Sequence, residues 1–482
     1  MRLTLVTLCL ALVAAAVPAP RPPRHARADA QLLARSFRRP AKNGWVFVHL
    51  EGTPRQLGYQ NGYWLAPETG QALAELRAMM PRNTGKSWPW LKRAAMQVFW
   101  PHVETQYRQE LEGIVAGLRA RGVHTDLASV VVLNAFSELP GYYVPWYDAH
   151  HHQARQARRV RALARLAAPG RCSAFVATGS YTKTGQVVIG HNNWDDYLHG
   201  PFWNVIYDIA PSHGLHILMD GYPGVITSDD DFGINSAGLM VTETTISQFK
   251  GFDPNGIPEF VRSRKALQYA RTISQWIAIM LDGNNGGYAN DWLLGDRKNG
   301  EIARVELGLL HHEVWRTTNG MYVGSNFPSD PLVIRDETTG FNPRDPDSSP
   351  NARHARWEQL KREYKGRIDI AIAEKMESDD YDLIEHKIDP DERTLCGHQD
   401  LSPRGVTIWG DGPYYPSGTV SAKVTDSALA AKMEIIAALG HPDGIGFKAA
   451  AFLRAHPQYD WQRPFLRNLP SDPWTEFRAA RY

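Results

Sequence analysis

The stretch from Arg171 to Tyr197 constrains this chain more than any other. It reads Arg-Cys-Ser-Ala-Phe-Val-Ala-Thr-Gly from Arg171 and Val-Val-Ile-Gly-His-Asn-Asn-Trp-Asp-Asp-Tyr from Val187. The turn signal Thr182-Lys183-Thr184-Gly185 lies between the two apolar runs, so the pattern predicts a β-hairpin. A thiol opens the first strand, and a cluster of amides and carboxylates closes the second.

A cysteine at the head of a strand has chemistry open to it if the bond before it is cut. The Cys172 thiol can attack the Arg171 carbonyl, moving the acyl group to sulfur as a thioester that water resolves. The product carries a free α-amine on Cys172. An unperturbed α-amine has a pKa near ~8, so it can take the thiol proton near neutral pH without a separate histidine. A carboxylate at the end of the neighbouring strand would hold that amine. Asp195 is placed for this, with Asp196 as the nearby alternative. His191 reads as a structural strand-end residue.

Composition bounds the rest. A chain of 482 residues exceeds one ordinary core, so two domains or one large elaborated domain are expected. The net charge of +2 gives no reason to expect a nucleic-acid partner. Arg2, the apolar run Leu3–Val13 and Ala14-Ala15-Ala16 read as a secretory signal too short to span a membrane. Cleavage after Ala16, Ala19 or Ala28 fits equally. No other segment is apolar enough to cross a bilayer, so a secreted or periplasmic protein is expected, or a lysosome-like location in a eukaryote. The sequence contains no Asn-x-Ser/Thr acceptor, which favours the bacterial setting. Of three cysteines, Cys9 lies in the signal. A Cys172–Cys396 bridge is the alternative to the unbridged Cys172 that its flanks favour.

Three regions follow: 1–29, signal and start of a disordered arm; 30–171, a helical segment and linker; and 172–482, the catalytic part. Trp45–Leu50 predicts a strand, and Thr53-Pro54 starts a helix with Thr53 as N-cap. Glu104–Arg121 carries Tyr107, Leu111, Ile114, Val115 and Leu118 on one face, the pattern of an amphipathic helix stopped by Gly122. Asp148–Arg171 reads as an exposed basic helix or a protease-accessible linker. After Cys172, strands are expected at Trp203–Ile209, His216–Met219, Leu239–Glu243, Trp292–Leu294, Ile302–Leu307 and Met321–Val323. Helices are expected at Ala266–Leu281, Asn351–Arg362 and Ser427–Leu439, with a surface excursion over 328–352.

The remaining clusters lack the spacing of metal sites. His150-His151-His152 has no second ligand cluster, Asp229-Asp230-Asp231 lacks the EF-hand pattern, and His311-His312-Glu313 lacks the order of a zinc-protease helix. No metal and no cofactor are assigned.

The hairpin resembles that of the phospholipase B-like proteins and of the self-processing acyltransferases and peptidases of the isopenicillin-N acyltransferase type. Further segments carry the likeness in order: Tyr222-Pro223-Gly224 with Ser228 and Asp230-Asp231-Phe232, Ser236-Ala237-Gly238-Leu239, Glu243-Thr244-Thr245-Ile246, Tyr288-Ala289-Asn290-Asp291-Trp292, Asp400-Leu401-Ser402-Pro403 and Lys423-Val424-Thr425. The stretch Glu51-Gly52-Thr53 with Leu57–Tyr63 looks more like the acyltransferase and peptidase branch. The resemblance implies an α+β fold, the four-layer α-β-β-α sandwich of N-terminal-nucleophile hydrolases, with an added N-terminal helical segment. It implies cleavage between Arg171 and Cys172, Cys172 as nucleophile, Asp195 on the α-amine with Asn193 in support, and Asn290 in the oxyanion hole. A backbone N–H near Thr244 or Thr245 would be the second donor. Phospholipase B-like relatives often carry Asn where Asp195 stands. The implied reaction is hydrolysis of an acyl amide or ester on a lipid or small acylated molecule; acyl transfer to an amine, or a non-catalytic binding role, are the alternatives. Nothing in the sequence gives the oligomeric state.

Overall fold

The computed structural model describes residues 29–151, 171–229 and 232–480. The expected signal, the stretch 152–170 and the pair Asp230-Asp231 lie outside the described residues. In chain order the strands are β1 (Phe37–Arg38), β2 (Val46–Gly52), β3 (Ser173–Thr178), β4 (Val188–Asp196), β5 (Val205–Pro211), β6 (Ile217–Gly221), β7 (Gly233–Asn235) and β8 (Leu239–Thr245). They continue as β9 (Asn290–Asp296), β10 (Glu301–Leu307), β11 (His312–Thr317), β12 (Gly320–Gly324), β13 (Tyr381–Asp382), β14 (Lys387–Ile388), β15 (Ser417–Asp426), β16 (Glu434–Leu439) and β17 (Thr475–Arg478).

Two large sheets result. The nine-stranded sheet has the order β1-β2-β5-β6-β7-β8-β9-β10-β11, and the six-stranded one β12-β3-β4-β15-β16-β17. Among the described strands only the β2–β5 pair is parallel within them. Alternate residues of a strand point to opposite faces, and the buried clusters sort accordingly. Phe47, Ile206, Leu218, Met240, Leu293 and Ile302 of the larger sheet meet Ala174, Val176, Ile189, Ile435 and Ala437 of the smaller one in a shared core. The sheets therefore stack face to face.

Helices cover both outer faces. Those used below are α1 (Pro54–Trp64), α2 (Ala66–Thr84), α3 (Thr105–Ala120), α4 (Leu127–Asn134), α5 (Glu259–Tyr269), α6 (Ile273–Leu281), α7 (Ser349–Glu363) and α8 (Ile370–Glu377). The first six share a core with Val48, Tyr207, Met219, Val241, Leu294 and Val305 on the far side of the larger sheet. Helices α7 and α8 cover Phe175, Ala177, Val188, Met321 and Val424 of the smaller one. The fold is thus the expected α-β-β-α arrangement, an α+β architecture of four layers. No described helix is long and apolar enough to cross a membrane.

The N-terminal segment is woven into this body, because its strand β2 lies between β1 and β5 in the larger sheet. Its helices α1 and α3 cross at very short range. A Cβ on Gly58 would stand 1.8 Å from the Glu110 carbonyl oxygen, and one on Gly117 would stand 2.1 Å from that of Tyr59. Glycine spaced four apart on both helices (58 and 62, 113 and 117) is what lets the backbones approach. Thr53 is the N-cap of α1, its N–H donating to Gln56 Oε1 at 3.0 Å.

Two expected helices are corrected. Ala266–Leu281 is not one helix but the end of α5 and all of α6, because Thr272 accepts from the Gln275 N–H and caps a new start. The helix expected over Ser427–Leu439 persists only to Ala430. Glu434–Leu439 is instead the strand β16, paired on both edges with β15 and β17. Strand pairing on both edges overrides the helical spacing of its apolar residues. The 328–352 excursion also carries a short helix, Pro331–Glu337.

Candidate active site

The hairpin forms as expected, β3 pairing antiparallel with β4 and setting Ala174 opposite His191 and Ser173 opposite Asn192. Ala174 and Val176 face the inter-sheet core, so Cys172, one repeat earlier, points to the same side. On β4 the residues in phase with Ile189 are His191, Asn193 and Asp195. Cys172 and Cys396 are not joined in a disulfide, and Cys172 is fully buried.

Three side chains converge at the nucleophile position. The Cys172 sulfur, a ring nitrogen of His191 and a carboxylate oxygen of Glu243 lie within 4.8 Å of one another. Glu243, on β8 of the opposite sheet, is held from two sides. Tyr288 donates its hydroxyl to Glu243 Oε1 at 3.0 Å. The Asn290 amide, turned with its nitrogen toward the carboxylate, donates to Glu243 Oε2 at 2.9 Å and to the Ala289 carbonyl at 3.1 Å. Tyr288 adopts φ 49°, a left-handed conformation unusual for a bulky residue, in the turn that presents these groups.

A cation backs the thiol. Arg353 of α7 is fully buried and donates to the Cys172 carbonyl oxygen at 2.5 Å and to Ser173 Oγ at 3.1 Å. Its other nitrogens reach Asn326 Oδ1 at 2.8 Å and Ser349 Oγ at 3.1 Å, and its guanidinium lies 4.4 Å from the Trp194 ring centroid. Asn326 donates in turn to the Thr245 carbonyl at 2.8 Å, so the arginine ties the nucleophile strand to the end of β8. Burial pulls the guanidinium down to about 9, and the Cys172 side chain acts in the opposite sense. That leaves a charged group at neutral pH, which favours the thiolate beside it.

Asp195, expected on the α-amine, accepts instead from Trp203 Nε1 at 2.6 Å and from the Asp196 N–H at 2.7 Å. Burial lifts its carboxyl to about 6, against the attraction of His199. Asp196 points to the opposite face, where Tyr415 donates to it at 2.9 Å. Asn193 is buried on the Cys172 face, and its amide nitrogen has no hydrogen-bond partner among the described residues. Thr244 and Thr245 end β8 opposite Asp291 and Asn290, with the Thr244 side chain against Gly324. Arg171 is buried: its guanidinium meets Asp411 at 2.9 Å, Ser417 Oγ at 2.8 Å and Asp196 at 3.3 Å, and faces the Trp409 ring at 5.1 Å. The residue before the expected cut is therefore docked on the protein body.

The structure thus brings Cys172 together with His191, Glu243 and Arg353. His191 and Glu243 stood inside the quoted motifs, but their position beside sulfur depends on stacking two sheets, which no local pattern displays. Arg353 lies 181 residues from Cys172 on a helix of the outer layer, with no motif to mark it.

The profile of the family described as Phospholipase B matches residues 69–334, more than half of the chain and a range containing Cys172, His191, Glu243 and Asn290. Phospholipase B-like protein F of Dictyostelium discoideum is 32% identical over 166 residues, covering 32% of this chain and 29% of that protein. Putative phospholipase B-like 1 of Caenorhabditis elegans is 26% identical over 332 residues, 62% of this chain and 56% of that one. Putative phospholipase B-like 2 of Homo sapiens is 31% identical over 149 residues, 27% and 24% of the two chains. The chain spans about half or less of the length of these curated relatives. Among solved structures, a mutant of conjugated bile acid hydrolase from Clostridium perfringens overlaps 56% of this chain and 89% of that one, with a TM-score of 0.33 and 12% identity. On the match of its central 69–334 stretch, the chain belongs to the Phospholipase B family.

Proposed function

We propose that this protein is an exported, self-processing cysteine hydrolase that cleaves acyl amide or ester bonds through a thioester on Cys172. The observation that carries the reading is the meeting of the Cys172 sulfur with His191 and Glu243, backed by buried Arg353. The class of substrate, a lipid or small acylated molecule, follows from the family and from what the relatives are called.

The geometry suits two successive tasks. In the intact chain the Cys172 nitrogen is an amide and cannot accept a proton. His191, whose ring nitrogen lies within 4.8 Å of both the sulfur and the Glu243 carboxylate, is the group at hand to take the thiol proton. Sulfur then attacks the Arg171 carbonyl carbon, the Arg171–Cys172 C–N bond breaks, and the proton passes to the departing nitrogen. Water hydrolyses the resulting thioester, leaving Arg171 with a carboxylate and Cys172 with a free α-amine. In turnover that amine takes the thiol proton and gives it to the leaving alcohol or amine of the substrate. Asn193 Nδ2 is an uncommitted donor on the Cys172 face and suits the developing oxyanion or the amine. Asn290 acts first as a positioning residue for Glu243, since both its N–H bonds are engaged. Asp195 keeps acceptor capacity beside its bond from Trp203 and suits the freed amine.

Incubating the mature protein with an activated acyl ester, quenching in acid and mapping the adduct tests this reading. An acyl mass on the Cys172 peptide that hydroxylamine removes supports it. Turnover that persists in Cys172→Ala defeats it.

A further inference from the structure

A second cluster of chemistry-bearing side chains lies behind β4, on the face away from the Cys172 sulfur. One ligand-capable atom from each of Asp380, Cys396, His398 and Asp443 falls within a common 4.8 Å. His398 Nε2 is 2.9 Å from Asp443 Oδ2 and 4.0 Å from Cys396 Sγ. Cys396 and His398 are fully buried, and the Asp443 side chain is 4% exposed. Among the described residues no Lys or Arg pairs with Asp380 or Asp443. Two carboxylates and a thiol therefore converge on one imidazole in a poorly solvated place, an arrangement that calls for a cation.

The local backbone is built for this convergence. Cys396 and His398 are separated by Gly397 at φ 74°, which reverses the chain so that residues two apart aim at one point. A Cβ there would stand 1.9 Å from the Trp194 ring, so no other residue fits. The far side of His398 has its own support. Nδ1 faces Asp400 Oδ1 at 3.8 Å, and the Tyr197 hydroxyl donates to that oxygen at 2.8 Å. At 3.8 Å Asp400 is an ion-pair neighbour of the non-ligating nitrogen, on the side where a metal-bound histidine takes its outer partner.

We infer that Cys396, His398, Asp380 and Asp443 bind a divalent zinc ion as a four-ligand site. One sulfur, one nitrogen and two oxygens suit the tetrahedral preference and borderline softness of Zn²⁺. Binding releases the Cys396 thiol proton to solvent. With all four positions taken by protein, the ion is structural. It fastens the segment after α8, the 395–401 loop and the 441–445 turn behind Trp194, whose indole donates to the Leu395 carbonyl at 3.2 Å. The fourth-ligand spacing runs from 380 to 443, which is why no compact sequence pattern marks it.

The test uses the full mature chain, loaded with Zn²⁺ and desalted, then metal-exchanged with Co²⁺. About one equivalent of zinc per chain should be retained, and the cobalt form should show tetrahedral visible bands with a near-ultraviolet sulfur-to-cobalt charge-transfer band. That band should vanish in Cys396→Ser and persist in Cys172→Ala. Asp443→Asn, a milder change, should weaken zinc retention at least tenfold. Failure of the wild-type chain to retain stoichiometric zinc overturns the assignment. So does a charge-transfer band that follows Cys172 instead of Cys396. Neither result bears on the acyl chemistry at Cys172, which is read out separately.

Discussion

Arg353 donates to the backbone carbonyl of Cys172 at 2.5 Å while stacking on Trp194. One buried cation thus holds the nucleophile's backbone, interacts electrostatically with its side chain and braces the neighbouring strand. Arg353→Gln should slow Cys172 alkylation by iodoacetamide near neutral pH about tenfold and move the pH dependence of alkylation upward, because a neighbouring cation favours the thiolate. A purely structural arginine would lower the melting temperature and leave that profile in place.

His191→Gln is expected to slow the appearance of the cut fragments by roughly 10²- to 10⁴-fold, the usual worth of a positioned general base. Glu243→Gln keeps the shape and should cost less. Both effects are read from the time course of fragment formation on a denaturing gel. Cutting at the wild-type rate in His191→Gln would remove the imidazole from the processing step.

Stability should fall as pH rises from about 6.5 to 8. Burial lifts Asp411 and Glu306 to about 7 and Glu259 to about 8. In the unfolded chain these carboxyls titrate near ~4. Over this window the native state holds more protons than the unfolded one, so stability declines with pH. It is fully present below the unfolded values and lost through the folded ones. Buried His354 and His441, lowered to about 4 and about 3, oppose this trend, but mainly below pH ~6.5. Melting temperatures across pH 6.5–8 should drop in the wild type and drop less in Glu259→Gln.

Gly58→Ala should destabilise the protein by roughly 3 kcal/mol or more, because its methyl would overlap the Glu110 carbonyl across the α1–α3 crossing. Helix propensity alone predicts the opposite sign. Chemical denaturation decides between them.

Much of the fold was legible where pattern and pairing agree. The Cys172–Asp196 hairpin, the amphipathic face of α3 and the Thr53-Pro54 helix start form from local signals, and all three are present. Glu434–Leu439 was not, because a largely buried inner strand and a helix show similar apolar content, and only its two neighbours decide. The site was half legible. Cys172 and its strand stood out, and so did Asp195, but the Trp203 indole that donates to its carboxylate did not. Glu243 reaches sulfur from the opposite sheet, and Arg353 from the outer helix layer. Contacts of that kind come from stacking layers and leave no periodicity behind.

The free-amine mechanism stands or falls with the bond between Arg171 and Cys172. Intact-mass analysis of the purified mature protein under denaturing conditions tests it directly, and also reports where the signal is removed. Two chains are predicted, the larger beginning with Cys172 bearing a free α-amine, the smaller held without a covalent link by β2, by the helices packed on the larger sheet and by the docked Arg171 side chain. A single uncut chain that turns over substrate at full rate would contradict it.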